Sequence, residues 1–250
     1  MDIHVLDGTA GESDADALIV YVFEDDDLPP VVSTVNDSLD GLVQEIIDSG
    51  EFNRKAESVM VLHPRGAIKA KRLVLVGVGK ADDFTLDGLR RASAVGVKKA
   101  RDLKAKRAAS VTIDLFDAVQ ASHAISEGAL LGMYHYHGQK SDDAPENTLE
   151  SLGIFGGDES GVAIGKAFAE GAILARDLVN LPPNICTPSY LAERATEMAK
   201  EVGLKLDVLG KSQLQALKMG AHLAVAQGSD TPPRFIILEH NADKAGEGET

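Results

Sequence analysis

Tryptophan is absent from this chain of 250 residues, and cysteine occurs once. The single thiol, Cys186, excludes an internal disulfide and suits a reducing compartment. No basic stretch followed by an apolar one opens the sequence, so its start does not read as a secretory signal. The longest uninterrupted apolar run goes from Ala17 to Phe23, far too short to span a bilayer. Positive charge is scarce: 25 Lys and Arg against 39 Asp and Glu give a net charge of −14. That balance favours solubility and argues against nucleic acid as the main partner. No internal repeat or low-complexity tract is evident. What remains is an ordinary globular composition, 44% hydrophobic and 26% charged, long enough for one large domain or two smaller ones.

The first part alternates strand-like and helix-like runs. Continuous apolar stretches at 18–23, 59–62 and 73–76, and the run 111–115, read as buried strands. Between them lie amphipathic patterns. One carries Leu39, Leu42, Val43, Ile46 and Ile47; others run over 86–103 and 119–131. Buried strands alternating with such helices predict an α/β layered fold.

The segment from Ala175 to Ala192 is the most informative in the chain. Ile164, Phe168, Ala172, Ala175 and Leu178 recur at helical spacing and predict an apolar face on a helix over about 161–180. Pro182 and Pro183 end that helix, because proline has no N–H to give and the residue before it avoids helical angles. Thr187 followed by Pro188 predicts a capped start for the next helix, over 191–202. A strand at 204–209, a helix near 214–219 opened by Ser212, and strands at 223–225 and 235–238 should follow. Residues 242–250 are polar and glycine-rich, as in a loop or frayed end. Breaks at 141–147 and 156–161 place the domain boundaries: 1–158, a linking helix and proline exit at 159–183, and 184–250.

Candidate chemistry is sparse. Gly77-Val-Gly-Lys80 follows a strand, but it lacks the spacing and the Ser or Thr of a phosphate loop, and reads as an ordinary turn. His135 and His137, with Asp142 and Asp143 nearby, form the best metal-like cluster, yet no further ligand has a fixed spacing to them. Asp25, Asp26 and Asp27 could hold a hard cation, and read better as a solvated acidic turn. Cys186 has no evident histidine partner. Lys98, Lys99, Arg101, Lys104, Lys106 and Arg107 read as a solvated helix end rather than an anion contact. No motif supplies a nucleophile, a base and an electrophile together.

Several stretches nevertheless resemble one family in its own order. These are Arg72-Leu-Val-Leu-Val-Gly-Val-Gly-Lys80 with Phe84 and Leu89-Arg-Arg91, then Gly128-Ala-Leu-Leu-Gly132 with Tyr134 and Lys140. The 175–192 segment, residues 203–209, Met219-Gly220 and Pro233-Arg-Phe-Ile-Ile-Leu238 follow. Together they are similar to leucyl aminopeptidases, the cytosolic two-metal exopeptidases, with His137 standing where many members carry an acid. The resemblance implies a macro-type α/β N-terminal domain, a linking helix and the start of an α/β catalytic domain. It implies release of N-terminal residues, leucine preferred, from peptide substrates by two divalent ions, Zn or Mn. It also implies a homo-hexamer in the cytoplasm. The family's Gly-Lys-Gly turn and Thr-Phe-Asp-Ser-Gly-Gly string do not occur here. No catalytic, cofactor-binding or metal-binding residue is therefore assigned, and the chain by itself is expected to be inactive, ending before those motifs. The alternative reading is a non-catalytic macro-like module that binds a nucleotide-like ligand or DNA.

Overall fold

The computed structural model describes residues 1–25, 27–136, 138 and 148–241. Asp26, His137, Lys140, Asp142 and Asp143, the polar stretch 141–147 and the tail 242–250 lie outside the described residues. The chain divides into two compact units, Met1–Leu174 and Ala175–Thr250.

The first unit carries a six-stranded sheet: β1 (Asp2–Leu6), β2 (Ala17–Phe23), β3 (Val59–Leu62), β4 (Leu73–Gly79), β5 (Arg107–Val111) and β6 (Ser151–Phe155). The spatial order is β1-β6-β5-β2-β4-β3. All neighbours are parallel except β3, which pairs antiparallel with β4. Central parallel strands are covered on both faces, so they read as unbroken apolar runs. That is why β2, with all seven residues buried, and β4 were legible from sequence.

Helices α1 (Pro30–Ser38), α2 (Leu42–Asp48), α3 (Leu86–Asp102) and α4 (Ala118–Met133) complete the unit, and α5 (Glu159–Asn180) runs from it across the division. Thr85 caps α3 by accepting from Gly88 N at 3.2 Å, and Asp117 caps α4 by accepting from Gln120 N at 2.8 Å. Asp158 accepts from the Ser160 hydroxyl and from the amides of Ser160 and Gly161 at the start of α5. Those donors, the Ser160 hydroxyl foremost, hold its carboxyl below the usual range.

The structure departs from the sequence reading at four places in this unit. The strand expected over 111–115 lies earlier: β5 is Arg107–Val111, and its Arg-Ala-Ala-Ser-Val sequence carries little strand signal. The apolar pattern from Leu39 to Ile47 does not form one helix. Asp40 (φ 54°) and Gly41 (φ 85°) both turn left-handed and split α1 from α2. β1 and β6 escaped notice because they are short and β6 carries a glycine; Gly153 sits where Leu6 packs against its backbone. The fourth correction concerns α5. Its buried residues are Gly161, Val162, Gly165 and Ala169, whereas Phe168 is 61% exposed. The small residues allow close approach to α4: a side chain at Gly161 or Gly165 would collide with the backbone of Val119 or His123. Hydrophobicity marked the wrong stripe, because backbone proximity needs absence of side chain rather than apolar bulk.

The second unit holds α6 (Pro188–Val202), β7 (Lys205–Leu209), α7 (Lys211–Ala216), α8 (Gly220–Ala226) and β8 (Phe235–Glu239). β7 and β8 form a two-stranded antiparallel sheet, with Leu206 opposite Leu238 and Val208 opposite Ile236. The strand expected at 223–225 is helical, within α8. The cap of α7 is Gly210, not Ser212; the Gln213 side chain accepts from Gly210 N at 2.8 Å.

Candidate functional site

In the second unit, the residues after α5 form a tight turn. Ile185 N and Cys186 N both donate to Pro182 O at 2.9 Å, and Thr187 N donates to Ile185 O at 2.8 Å. The Thr187 hydroxyl then accepts from Tyr190 N at 3.3 Å, and Pro188 occupies the first turn of α6. Gly203, at φ 75°, closes the other end of that helix. The proline exit and the cap thus form as the residue types predict. Cys186 is half-buried in the turn as a free thiol.

The same unit carries a groove of about 830 Å³ between the start of α6, α8 and β8. Its polar side chains include Lys218, His222, Ser229, Thr231 and Arg234, and its apolar ones include Val225 and Phe235. The His222 and Phe235 rings meet edge to face at 5.7 Å. Sequence reasoning passed over Lys218, His222 and Arg234, because reading 223–225 as a strand gave His222 the wrong neighbours. No carboxylate among the described residues lines this groove. Hard divalent cations need oxygen ligands of that kind, and a lysine and an arginine repel them. The donor set here does not fit a two-metal centre. Among the described residues no group of three His, Cys, Asp or Glu could hold a metal ion.

The other candidates resolve individually. Gly77–Lys80 does sit at the end of β4, before capped α3, in a cleft of about 430 Å³. There Lys55, Lys80 and Arg91 are balanced by Glu24, Glu57 and Asp83, which leaves no net attraction for phosphate. Arg91 is engaged by Asp87 at 3.2 Å and Glu57 at 3.6 Å. His135 lies in irregular backbone after α4 rather than on a strand. Asp25 accepts from Ala81 N at 3.1 Å and ties the end of β2 to that of β4, a structural task. The basic run is interleaved with acids: Arg101 with Asp102 at 2.9 Å, Lys106 with Glu150 at 3.6 Å, Arg107 with Asp14 at 3.1 Å. It does not form an anion platform.

Two family descriptions match the chain in order. Residues 19–143 match the cytosol aminopeptidase family N-terminal domain, and residues 173–250 match that family's catalytic domain. The chain belongs to the cytosol aminopeptidase family. A probable cytosol aminopeptidase of Roseiflexus castenholzii is 37% identical over 98% of this chain and 50% of its own length. One from a Cyanothece species is 36% identical over 96% of this chain and 50% of its own. Among solved structures, a mutant of tomato leucine aminopeptidase superposes with a TM-score of 0.81 at 27% identity, covering 94% of this chain and 50% of that one. The bottromycin maturation enzyme BotP in complex with Mn gives 0.70 at 25% identity, over 91% of this chain and 45% of that one. The chain spans about half the length of the curated relatives it matches. Its mixed α/β architecture with a parallel sheet is that of the leucine aminopeptidase fold.

Proposed function

We propose that this chain is the amino-terminal half of a two-metal exopeptidase that removes N-terminal residues, leucine preferred, from peptides. The observation that carries the reading is the order of the two family matches, N-terminal domain then catalytic domain, over 19–143 and 173–250. In such an enzyme two divalent ions, Mn or Zn, activate the attacking water and polarise the scissile carbonyl. Among the described residues the groove of the second unit presents cations and no carboxylate, and the ligands for those ions are proposed to come from polypeptide outside these 250 residues. A homo-hexamer in the cytoplasm belongs to the same proposal. The names of the cytosol aminopeptidase relatives bear on the location alone.

On this reading the chain by itself does not turn over substrate. Hydrolysis of a chromogenic leucine substrate with added manganese is the test. The expected result is no rate above buffer, with activity appearing when the chain is extended through the remaining catalytic domain. Metal-dependent turnover by the purified 250-residue chain, free of host peptidase, would overturn it. A second reading, a binding module without catalysis, is favoured by one feature of the first unit: a crevice at the carboxyl ends of its parallel strands.

A further inference from the structure

β2 and β5 are adjacent and parallel, and their ladder is closed from Ala17↔Ala108 to Ile19↔Ser110. From the end of β2 the chain leaves through α1, α2 and β3 to β4, on one side. From the end of β5 it leaves through α4 to β6, on the other. Where consecutive connections depart in opposite directions the strand ends part, and open α/β sheets bind ligands in the crevice so formed. This is where sequence reasoning placed 111–115 in a strand and the chain instead turns away.

The crevice is present. A cavity of about 330 Å³ lies between Phe23, Val32 and Ile113, beneath the start of α1. A second, of about 370 Å³, shares Pro30, Val31, Val111, Thr112 and Asp114 with it and extends towards Gly8 and Gly156. Tyr21 lines the first cavity, and its buried hydroxyl is paired with Ser110 Oγ at 2.9 Å. Burial pushes its pKa up to about 12, so it adds no charge.

The lining chooses the ligand chemistry. Among the described residues no lysine, arginine or histidine lines either cavity, which disfavours a phosphate-bearing molecule. Among the described residues the charged side chains are Asp27 and Asp114, both at the exposed mouth. Thr112, half-buried, adds a hydroxyl, and the remaining surface of the first cavity is mostly aliphatic or aromatic. An apolar floor with carboxylates at its rim is complementary to an apolar side chain carrying an ammonium group, and the chain's net charge of −14 attracts such cations.

We propose that the crevice at the carboxyl ends of β2 and β5 binds a small primary amine with an apolar side chain: an aliphatic amino acid or the N-terminal residue of a peptide. The side chain enters the space between Phe23 and Ile113, and the ammonium donates to Asp114 and Asp27. The proposal concerns the first unit alone and stands whatever the outcome for the peptidase reading.

The test is a titration of the 250-residue protein followed by amide chemical shifts, with leucinamide, leucyl-glycine and isocaproamide, which keeps the side chain but lacks the amine. Leucinamide should shift amides of Leu28 to Val32 and Val111 to Leu115. Isocaproamide and the Asp114→Asn variant should each bind about ten-fold or more weakly, the worth of one charge-assisted hydrogen bond. Val31→Trp, at an exposed α1 position, should block the crevice while leaving the melting temperature unchanged. Tighter binding of leucyl-glycine identifies peptides as the source; equal binding identifies the single residue. No shift at millimolar leucinamide, equal affinity for isocaproamide, or occupation of the crevice by a nucleoside diphosphate in preference to leucinamide would each overturn the proposal.

Discussion

In β4, Leu73, Val74, Leu75 and Val76 are inaccessible to solvent, whereas in β8 Phe235 is 36% and Leu238 43% exposed. Both segments are runs of four apolar residues, and a sequence scan treats them alike. Their surroundings differ. β4 lies between β2 and β3 in a six-stranded sheet whose contiguous buried cluster runs from Ile3 to Val162. Among the described residues β8 has only β7 beside it, and the buried hydrophobics of its unit are Ala192, Ala199 and Leu214. A hydrophobic run announces that a segment will be buried when its partners are present; it does not say that they are. The first unit contains what covers its strands. The second has an apolar surface that includes Val225, 86% exposed, of the kind that marks an interaction face.

Paired truncations should break this contrast if it is wrong. Leu75→Ala removes a side chain buried between two neighbouring strands, and should cost roughly 2–5 kcal/mol of the first unit's stability in urea unfolding. Leu238→Ala, in the comparable apolar run of β8, should cost less than about 1 kcal/mol. Similar losses at the two sites would mean that β8 is as well covered as β4.

Helix contacts sharpen the same point at a smaller scale. Gly128 on α4 lies against the backbone of Arg90 on α3, and Gly132 approaches Ala94 Cα so closely that an added Cβ would sit at 2.8 Å. Gly128→Ala therefore forces two helices apart and should destabilise the first unit by about 1–3 kcal/mol, although alanine favours helix. Gly171→Ala on α5, where nothing lies within 4 Å, should be neutral or slightly stabilising. Differential scanning calorimetry on the two variants separates these outcomes.

The smallest expected effect is electrostatic. Burial alone would raise the Asp16 pKa, but the Lys71 ammonium at 2.6 Å and the amides of Arg107 and Lys106 bring it down to about 2. A carboxyl whose folded pKa lies below its unfolded value stabilises above the unfolded value, near 4, and loses that contribution as pH falls towards 2. Asp16→Asn should lower stability at neutral pH by about 1–3 kcal/mol, and the difference from the parent should shrink as pH falls from 4 towards 2. A constant difference across that window would assign the effect to packing instead.

Legibility followed burial and local chemistry. β2, β4 and the Thr187 cap were readable because a both-sides-buried strand and a Thr-Pro start leave signals in consecutive residues. β1, β6 and the glycine face of α5 were not, since their reasons lie far along the chain: Leu6 over Gly153, and the α4 backbone against Gly165. The crevice was invisible for the same reason. Val111 and Thr112 read as strand, and only the opposite departures from β2 and β5 show why the ladder must open there. The candidate clusters in sequence were mostly structural or balanced ion pairs, because proximity along the chain gathers charges that neutralise one another.

Native-state hydrogen exchange tests the contrast between the two units most directly. The amides of Leu73 to Val76 should exchange only through global opening of the first unit, while those of Phe235 to Leu238 exchange faster by several orders of magnitude, through local opening. Equal and strong protection of both strands in a monomer would mean the second unit is complete as it stands, and would contradict the account.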